Sequence, residues 1–448
     1  MYKQLLKLAF PVILSQGIQT VIILSDRYIL SLKDPLLTSA ATTGGFTAMS
    51  LSLFFVHLLL FATSLIGKRY GQNEPKQCRI LLSQCLLIAT CCIPILLLLR
   101  EFGDFYFTFL KHPISFRALE TGYFKIIMLS YIPVLYRTAL ESYFLGIGKT
   151  RGILYASLVG IIANIPISYF LVLGPYANLF EGAGGAAWGT FIASLLSFLF
   201  LGYFYYRNES SLQERITRNE IMRSPDWQPL LRQGSYTGME KFANSFCFVC
   251  FVNMFVCYGK EVSTAIAIVF SWDQIAFLPL MGIYGALLSL YSRLLGQKTL
   301  LTANKCLHAA LIMTFGLMLL FSLVFWTSSH ALAALYLGKE SVGMDRAAVF
   351  AYSTFFLHTT CFYIFANAAI FLYKAALRSL GLSDWCFRYS LIVHLALVAG
   401  AYYAVYFMKM QPTAVWSLFL GALTLLSIIF SVKFYATSSF SKNIIYKQ

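Results

Sequence analysis

Three acidic residues stand in stretches that are otherwise strongly apolar: Asp26 in IILSDRYIL, Glu240 in TGMEKFANS and Asp273 in FSWDQIAF. A charge near the centre of a bilayer costs about 2.5–3.5 kcal/mol or more, so each of them needs a bound cation, a proton, an ion pair or hydrogen-bond donors. Arg27 follows Asp26 and Lys241 follows Glu240, but successive residues on a helix do not face each other. Asp26 therefore points to a carboxylate that binds an ion or carries a proton, and the same argument applies to Glu240. Asp273 divides between function and helix–helix adhesion. Glu141 comes one turn after Arg137, a spacing that predicts a structural ion pair. His57, His358 and His394 are isolated imidazoles, expected to satisfy local hydrogen bonds rather than relay protons. Cys247 and Cys250 have redox spacing within the apolar run SFCFVCFV. There they fit small apolar fillers better than a redox or metal centre, and no metal site is expected.

The elements that must carry these residues follow from composition. Of 448 residues, 59% are hydrophobic and 12% charged, about half the charged share of soluble proteins, which excludes a water-soluble domain and a disordered chain. Apolar blocks of about 20 residues or more recur along the whole length, as in a polytopic helical membrane protein. Breaking them at charged or Pro/Gly-rich joins predicts twelve spans: 5–30, 37–67, 76–99, 119–146, 151–174, 183–206, 230–258, 261–292, 302–326, 346–377, 386–408 and 413–436. The first begins like a secretory signal, but its long run, Pro11 and the lack of a small-x-small cleavage site predict a retained helix. The formal net charge of +16 would suggest nucleic acid in a soluble protein. Here the basic residues lie mainly in short joins, so no nucleic-acid partner is expected. With the termini on one side, 22 Lys and Arg fall on that side, 8 on the other and 4 within or near spans. The positive-inside bias thus predicts cytoplasmic termini in the cell (inner or plasma) membrane.

The polar stretch 207–229 divides the chain into an amino-terminal half, 1–206, and a carboxy-terminal half, 230–448. The halves match weakly at an offset of 225 residues: LLK at 5–7 with LLR at 230–232, and GKRYGQ at 67–72 with SRLLGQ at 292–297. The expected fold is an all-α membrane protein with twelve transmembrane helices in two pseudo-symmetric six-helix lobes and a central cleft. Parallel repeats of this kind are typical of alternating-access transporters. Pro11, Pro133, Pro166 and Pro279 lie inside spans, where each removes a backbone donor and bends its helix. Pro11 is fifteen residues before Asp26 and is a candidate hinge.

The first span, LAFPVILSQGIQTVIILSDRYIL, resembles the first helix of the multidrug and toxic-compound extrusion (MATE) family, with its early proline, SQ pair and an Asp in the family's VDT position. SLIGKRYGQNEPKQC resembles the family's link from helix two to three. FLGIGKTRGILYASLVGIIANIPISYFLVLG and EGAGGAAWGTFIAS resemble two further stretches, as do GSYTGMEKF, FLPLMGIYGAL and AALRSLGLSD in the second half. The resemblance covers nearly the whole chain. It implies export of organic cations driven by inward Na⁺ or H⁺, with a cation site on Asp26, Asn164, Ser168 and Thr190. In the second lobe Glu240 falls on the family's GLE carboxylate, and Glu240 and Asp273, with Asn367, are expected to form a polar or substrate site that supplies negative charge for a cationic substrate. The chain departs from the family at Ser168, where members carry Asp or Asn, at Arg27, where Thr is usual, and at Asn367, where some carry Asp. A single carboxylate among neutral oxygens tilts the expectation towards H⁺, or towards Na⁺ held by Asp26 alone, and leaves the coupling ion open.

The expected function is an ion-coupled antiporter that exports organic, cationic compounds, with no cofactor beyond the coupling Na⁺ or H⁺. Its partners are a small-molecule substrate and the lipid bilayer, and it works as a monomer. A flippase for a lipid-linked precursor is the first alternative, against which the acidic character of the span charges counts. The other is an intramembrane acyl- or glycosyltransferase. No G-x-S-x-G, H-E-x-x-H or P-loop is present, so an enzyme is not expected.

Overall fold

A computed structural model describes the chain except for residues 110–111, 181, 210–215, 337–344 and 446–448. Lys111, Arg215, Lys339 and Lys447 of the orientation count, and part of the 207–229 segment, lie outside the described residues. Fourteen α-helices follow one another among those described: α1 (Tyr2–Lys33), α2 (Pro35–Leu60), α3 (Ala62–Gly71), α4 (Pro75–Phe109), α5 (Ile114–Gly146), α6 (Arg151–Val172), α7 (Gly184–Glu209), α8 (Arg218–Arg223), α9 (Trp227–Met254), α10 (Lys260–Gly296), α11 (Leu300–Ala334), α12 (Arg346–Ser379), α13 (Ser383–Tyr406) and α14 (Pro412–Ile445). Among the described residues, twelve stretches are long and apolar enough to cross a membrane, so the protein is an all-α, multi-pass membrane protein.

Local chemistry sets many helix ends. Asp34 caps α2 by accepting from the Leu36 amide at 2.8 Å, with Pro35 at the first helical position, where its missing N–H is no loss. Thr217 and Glu220 form a capping box that starts α8, a signal present in TRNE but absorbed into the 207–229 linker in the sequence reading. α5 ends where Gly148 takes a φ of +75° and the Lys149 amide reaches back to the Phe144 carbonyl at 2.8 Å.

Two spans run further than hydropathy placed them. The third continues past residue 99 to Phe109, and the ninth past 326 to Ala334. The acidic charges of α4's last turns are paired with Lys125 of α5, Asp104 at 2.5 Å and Glu101 at 3.3 Å. Helix α1 stays continuous through Pro11, and Pro94 lies within α4. Arg137 and Glu141 do pair, at 2.8 Å.

The chain forms two compact units. One comprises Phe10–Phe242 with Ser292–Lys298, the other Met1–Ala9, Ala243–Tyr291 and Thr299–Gln448. In the first, a core of Leu30, Leu59, Ile66, Leu81, Phe124, Phe144 and Ala186 among others runs between the helices. In the second, Phe251, Phe356 and Phe419 pack around Trp416, whose indole N–H donates to Thr359 at 2.7 Å.

Ser292–Lys298 belongs with the first unit because of a backbone crossing. A Cβ on Gly71 would stand 2.1 Å from the Arg293 carbonyl oxygen, and one on Gly296 would stand 2.1 Å from that of Lys68. Ser64 and Ser292 share a hydrogen bond of 3.0 Å beside it. Gly71 and Gly296 are equivalent at the 225-residue offset, and each is followed two residues later by a left-handed non-glycine residue, Asn73 (φ 62°) and Lys298 (φ 58°). The weak repeat is thus present in the backbone itself.

The segment carrying α8 is tied to α3 and α4 by ion pairs of Arg69 with Asp226 at 2.7 Å and Lys76 with Glu220 at 2.6 Å. Trp227 donates to the Ile221 carbonyl at 2.7 Å.

Two outcomes are expected. Gly71→Ala and Gly296→Ala should each lower thermal stability in detergent by about 1–3 kcal/mol through overpacking. The double variant should fall short of the sum, because both substitutions strain one contact. The Lys76 ammonium and the Thr217 backbone amide and hydroxyl pull the Glu220 carboxyl down to about 2. Its folded value is lowered, so its contribution is complete above about 4.5, the ordinary carboxylate range, and is lost as pH falls towards 2. Trp227 fluorescence, read in a variant retaining only that tryptophan, should report α8 loosening over this window, and Glu220→Gln should abolish the transition.

Candidate functional site

Asp26 lies on the face of α1 that packs on α6, and only 4% of it is exposed. Its two oxygens meet hydroxyls from different helices. Ser168 of α6 donates to Oδ1 at 2.8 Å, and Thr190 of α7 donates to Oδ2 at 2.6 Å. The Asn164 amide nitrogen stands 3.4 Å from Asp26 Oδ2, Ser168 Oγ and Thr190 Oγ1 alike. Asn164 and Ser168 are four apart and share one face of α6. Both are fully buried. The four residues expected to hold a cation are therefore side by side, within one unit.

The site forms because α7 can approach α6 closely. A Cβ on Gly189 would stand 2.2 Å from Ser168 Oγ and 3.1 Å from its Cα, and one on Gly185 would stand 2.5 Å from the Leu171 carbonyl oxygen. Glycine at 189 brings its neighbour Thr190 within reach of the carboxylate. In the sequence, GAGGAAWGT is legible as a family pattern. The spacing of its glycines was the signal for this contact.

The electrostatics of the site are unusual. Among the described residues, no basic side chain reaches Asp26 at ion-pair distance. Arg27 turns away and extends over the Phe46 ring, 5.6 Å from its centre. A buried carboxylate bound only by neutral donors keeps an uncompensated charge. Asn164 Oδ1 is also buried and accepts no hydrogen bond, so an unused acceptor lies in the same cluster. Carboxylate, amide and hydroxyl oxygens are hard ligands suited to an alkali cation, and the carboxylate alone can carry a proton.

The other sequence candidates are distributed differently. Glu240 is buried and grouped with the first unit, whereas Asp273 and Asn367 are half-buried in the second. Among the described residues no hydrogen bond joins Asp273 to Asn367. His57 bonds the Leu53 carbonyl at 3.1 Å, His394 the Ser390 carbonyl at 2.7 Å and His358 the Trp326 carbonyl at 3.2 Å, as expected of local hydrogen-bonders.

Two polar features went unnoticed in the sequence. Glu120 is fully buried and meets His112 Nδ1 at 2.7 Å. Its position one residue after the predicted start of a span at 119 hid it as an interfacial charge. Ser15 and Ser157, both buried, share a 2.5 Å hydrogen bond between α1 and α6. Serine is too common in helices to single out.

Replacing Ser168 by Ala should cost stability only by about 0.6–1.7 kcal/mol, as is usual for one hydrogen bond in a membrane protein. Thermal unfolding titrated with Na⁺ and H⁺ should show weaker stabilisation by cation in that variant. Gly189→Ala should reproduce the binding defect by displacing the same hydroxyl.

Comparison with known proteins places this geometry in context. The MatE family pattern matches residues 11–170 and 237–403. Multidrug resistance protein PmpM of Pseudomonas aeruginosa is 26% identical over 257 residues, which is 55% of this chain and 52% of that protein. Multidrug resistance protein MdtK of Yersinia pestis is 25% identical over 231 residues, 51% of this chain and 50% of that one. The match thus spans about half the length of these curated relatives. An outward-facing multidrug resistance MATE family transporter of the MOP superfamily superimposes with a TM-score of 0.87 at 16% identity, over 99% of this chain and 97% of that one. At that identity the likeness is one of fold.

Proposed function

The chain belongs to the MatE family, and from that premise we propose that it is an ion-coupled antiporter that exports organic cations by alternating access. The single observation that carries this reading is Asp26: a buried carboxylate, held by hydroxyls and an amide from α6 and α7, with no guanidinium or ammonium among the described residues to neutralise it. Such a group is stable when it takes up a cation, and H⁺ or Na⁺ is the cation on offer. The names of PmpM and MdtK, both multidrug resistance proteins, support export of varied cargo.

In the proposed cycle, Asp26 in its ionised form holds Ser168 and Thr190 as donors. Arrival of the cation from outside removes the acceptor charge, and the two hydroxyls lose their strongest partner. Asn164, whose Oδ1 has no donor, can then turn its carbonyl towards Na⁺ or towards the acid proton. With the α1–α6 attachment weakened, the Asp26 end of α1 bends about Pro11, where the helix already lacks one backbone hydrogen bond. Closure of the surrounding helices expels cargo outward. Glu240 in the first unit, and Asp273 and Asn367 in the second, are each offered separately as a polar contact for a cationic substrate. Both termini face the cytoplasm, and one chain suffices.

A flippase for a lipid-linked precursor remains the second reading, and the acidic character of the buried groups disfavours an anionic headgroup.

The test is efflux of a cationic dye from proteoliposomes with Na⁺ and pH gradients imposed separately. One gradient should drive efflux. Asp26→Asn should reduce it by about tenfold or more, the scale expected when a charge-assisted contact of roughly 1.5–3 kcal/mol is lost. Ion-driven efflux that survives in Asp26→Asn would refute the mechanism.

A further inference from the structure

The contacts of α1 with α6 have a fixed register. Ser15 meets Ser157, and Asp26 meets Ser168. Each pair is 142 residues apart, so the helices run parallel, joined by two polar rungs eleven residues from one another. Eleven residues are within about 20° of three full turns, which puts both rungs on one face at a separation of roughly 16 Å.

The rungs differ in what holds them. The Asp26 rung depends on the charge of a carboxylate. The Ser15 rung does not. Ser157 donates to the Ile153 carbonyl at 3.2 Å and accepts from Arg137 Nη2 at 2.7 Å, which leaves its second lone pair for the Ser15 hydroxyl at 2.5 Å. Arg137 is buried and held in turn by Glu141 through Nε at 2.8 Å. The second rung is thus anchored by an ion pair on α5. The charged and titratable groups nearby are Arg137 and Glu141 at this rung, and Arg27 and Tyr123 at the other.

Ser15 stands one turn after Pro11, between the proline and Asp26. Any bend at Pro11 that carries Asp26 away from α6 must also separate Ser15 from Ser157. We propose that Ser15 is a positioning residue. With Ser157 and Arg137 it forms a latch that holds α1 straight against α6, opens once per cycle and sets how much cation is needed to bend the helix. The proposal rests on Asp26 being the cation site. The latch opposes bending and cation loading favours it, so each shifts the apparent strength of the other.

This predicts a gain that a damaged site would not produce. In Ser15→Ala the cation concentration for half-maximal efflux, titrated separately with H⁺ and Na⁺, should fall roughly three- to fifteen-fold, the population shift of one membrane hydrogen bond. Ser15→Thr, which keeps the hydroxyl, should restore the original value. An unchanged or higher half-saturating concentration in Ser15→Ala would overturn the proposal.

A second measurement does not depend on cargo. In the doubly substituted Ser15→Cys, Ser157→Cys protein, oxidation should give the peptide linked at 15 and 157, identified by mass. Its yield should fall at saturating cation and stay low when Asp26→Asn is added. A yield indifferent to cation would also overturn the latch. Were no gradient to drive efflux in the unmodified protein, the antiporter reading would fail while the cross-link still decided the latch.

Discussion

A carboxylate in a low-dielectric interior must be matched by charge or left to attract it. Among the described residues, Asp26 is met only by neutral donors: two short hydroxyl bonds and one long amide contact. A guanidinium in the same place would have compensated the charge permanently and left nothing for a mobile ion to do. Arg27 is one residue away, yet lies over Phe46, because adjacent helical positions diverge. The charge of α1 therefore remains available, and helices α6 and α7 are arranged around that need.

That arrangement demands close backbone approach. Hydrogen bonds between membrane helices are individually weak, so geometry has to place several donors on one acceptor together. Gly189 and Gly185 allow α7 to lie against α6, which brings Thr190 and Ser168 to opposite oxygens of one carboxylate. Gly71 and Gly296 do the same where α3 and the end of α10 cross. In both places the absence of a side chain, rather than a specific side-chain contact, allows the architecture. Larger residues elsewhere fill the core, with Phe124 and Phe144 in one unit and Trp416 in the other.

Within the first unit, polarity is graded along α1. At one level Ser15 meets a network whose charges, Arg137 and Glu141, already compensate each other. Three turns on, Asp26 has no such compensation among the described residues. In the proposed cycle a helix fastened at two points, only one of which responds to a cation, converts local neutralisation into movement, with Pro11 proposed as the place where it bends.

Hydrophobic run length, broken at charged or Pro/Gly-rich joins, determined the helical class and the number of spans, because a bilayer requires about 20 apolar residues per crossing whatever their order. The Arg137–Glu141 pair was legible for a similar reason, since both partners lie on one helix. Asp26 stood out as a costly charge, and family likeness, rather than spacing, pointed to Asn164, Ser168 and Thr190. What the sequence could not decide was which distant residues meet. Asp26 and Ser168 are 142 positions apart, as are Ser15 and Ser157, and nothing local in α1 or α6 specifies that register. It arises from helix packing, where glycines permit contact and buried polar atoms must find partners. The same holds for Glu120 and for the crossing of Gly71 with Gly296. Their environment is made by other helices, so only the tertiary structure could assign it.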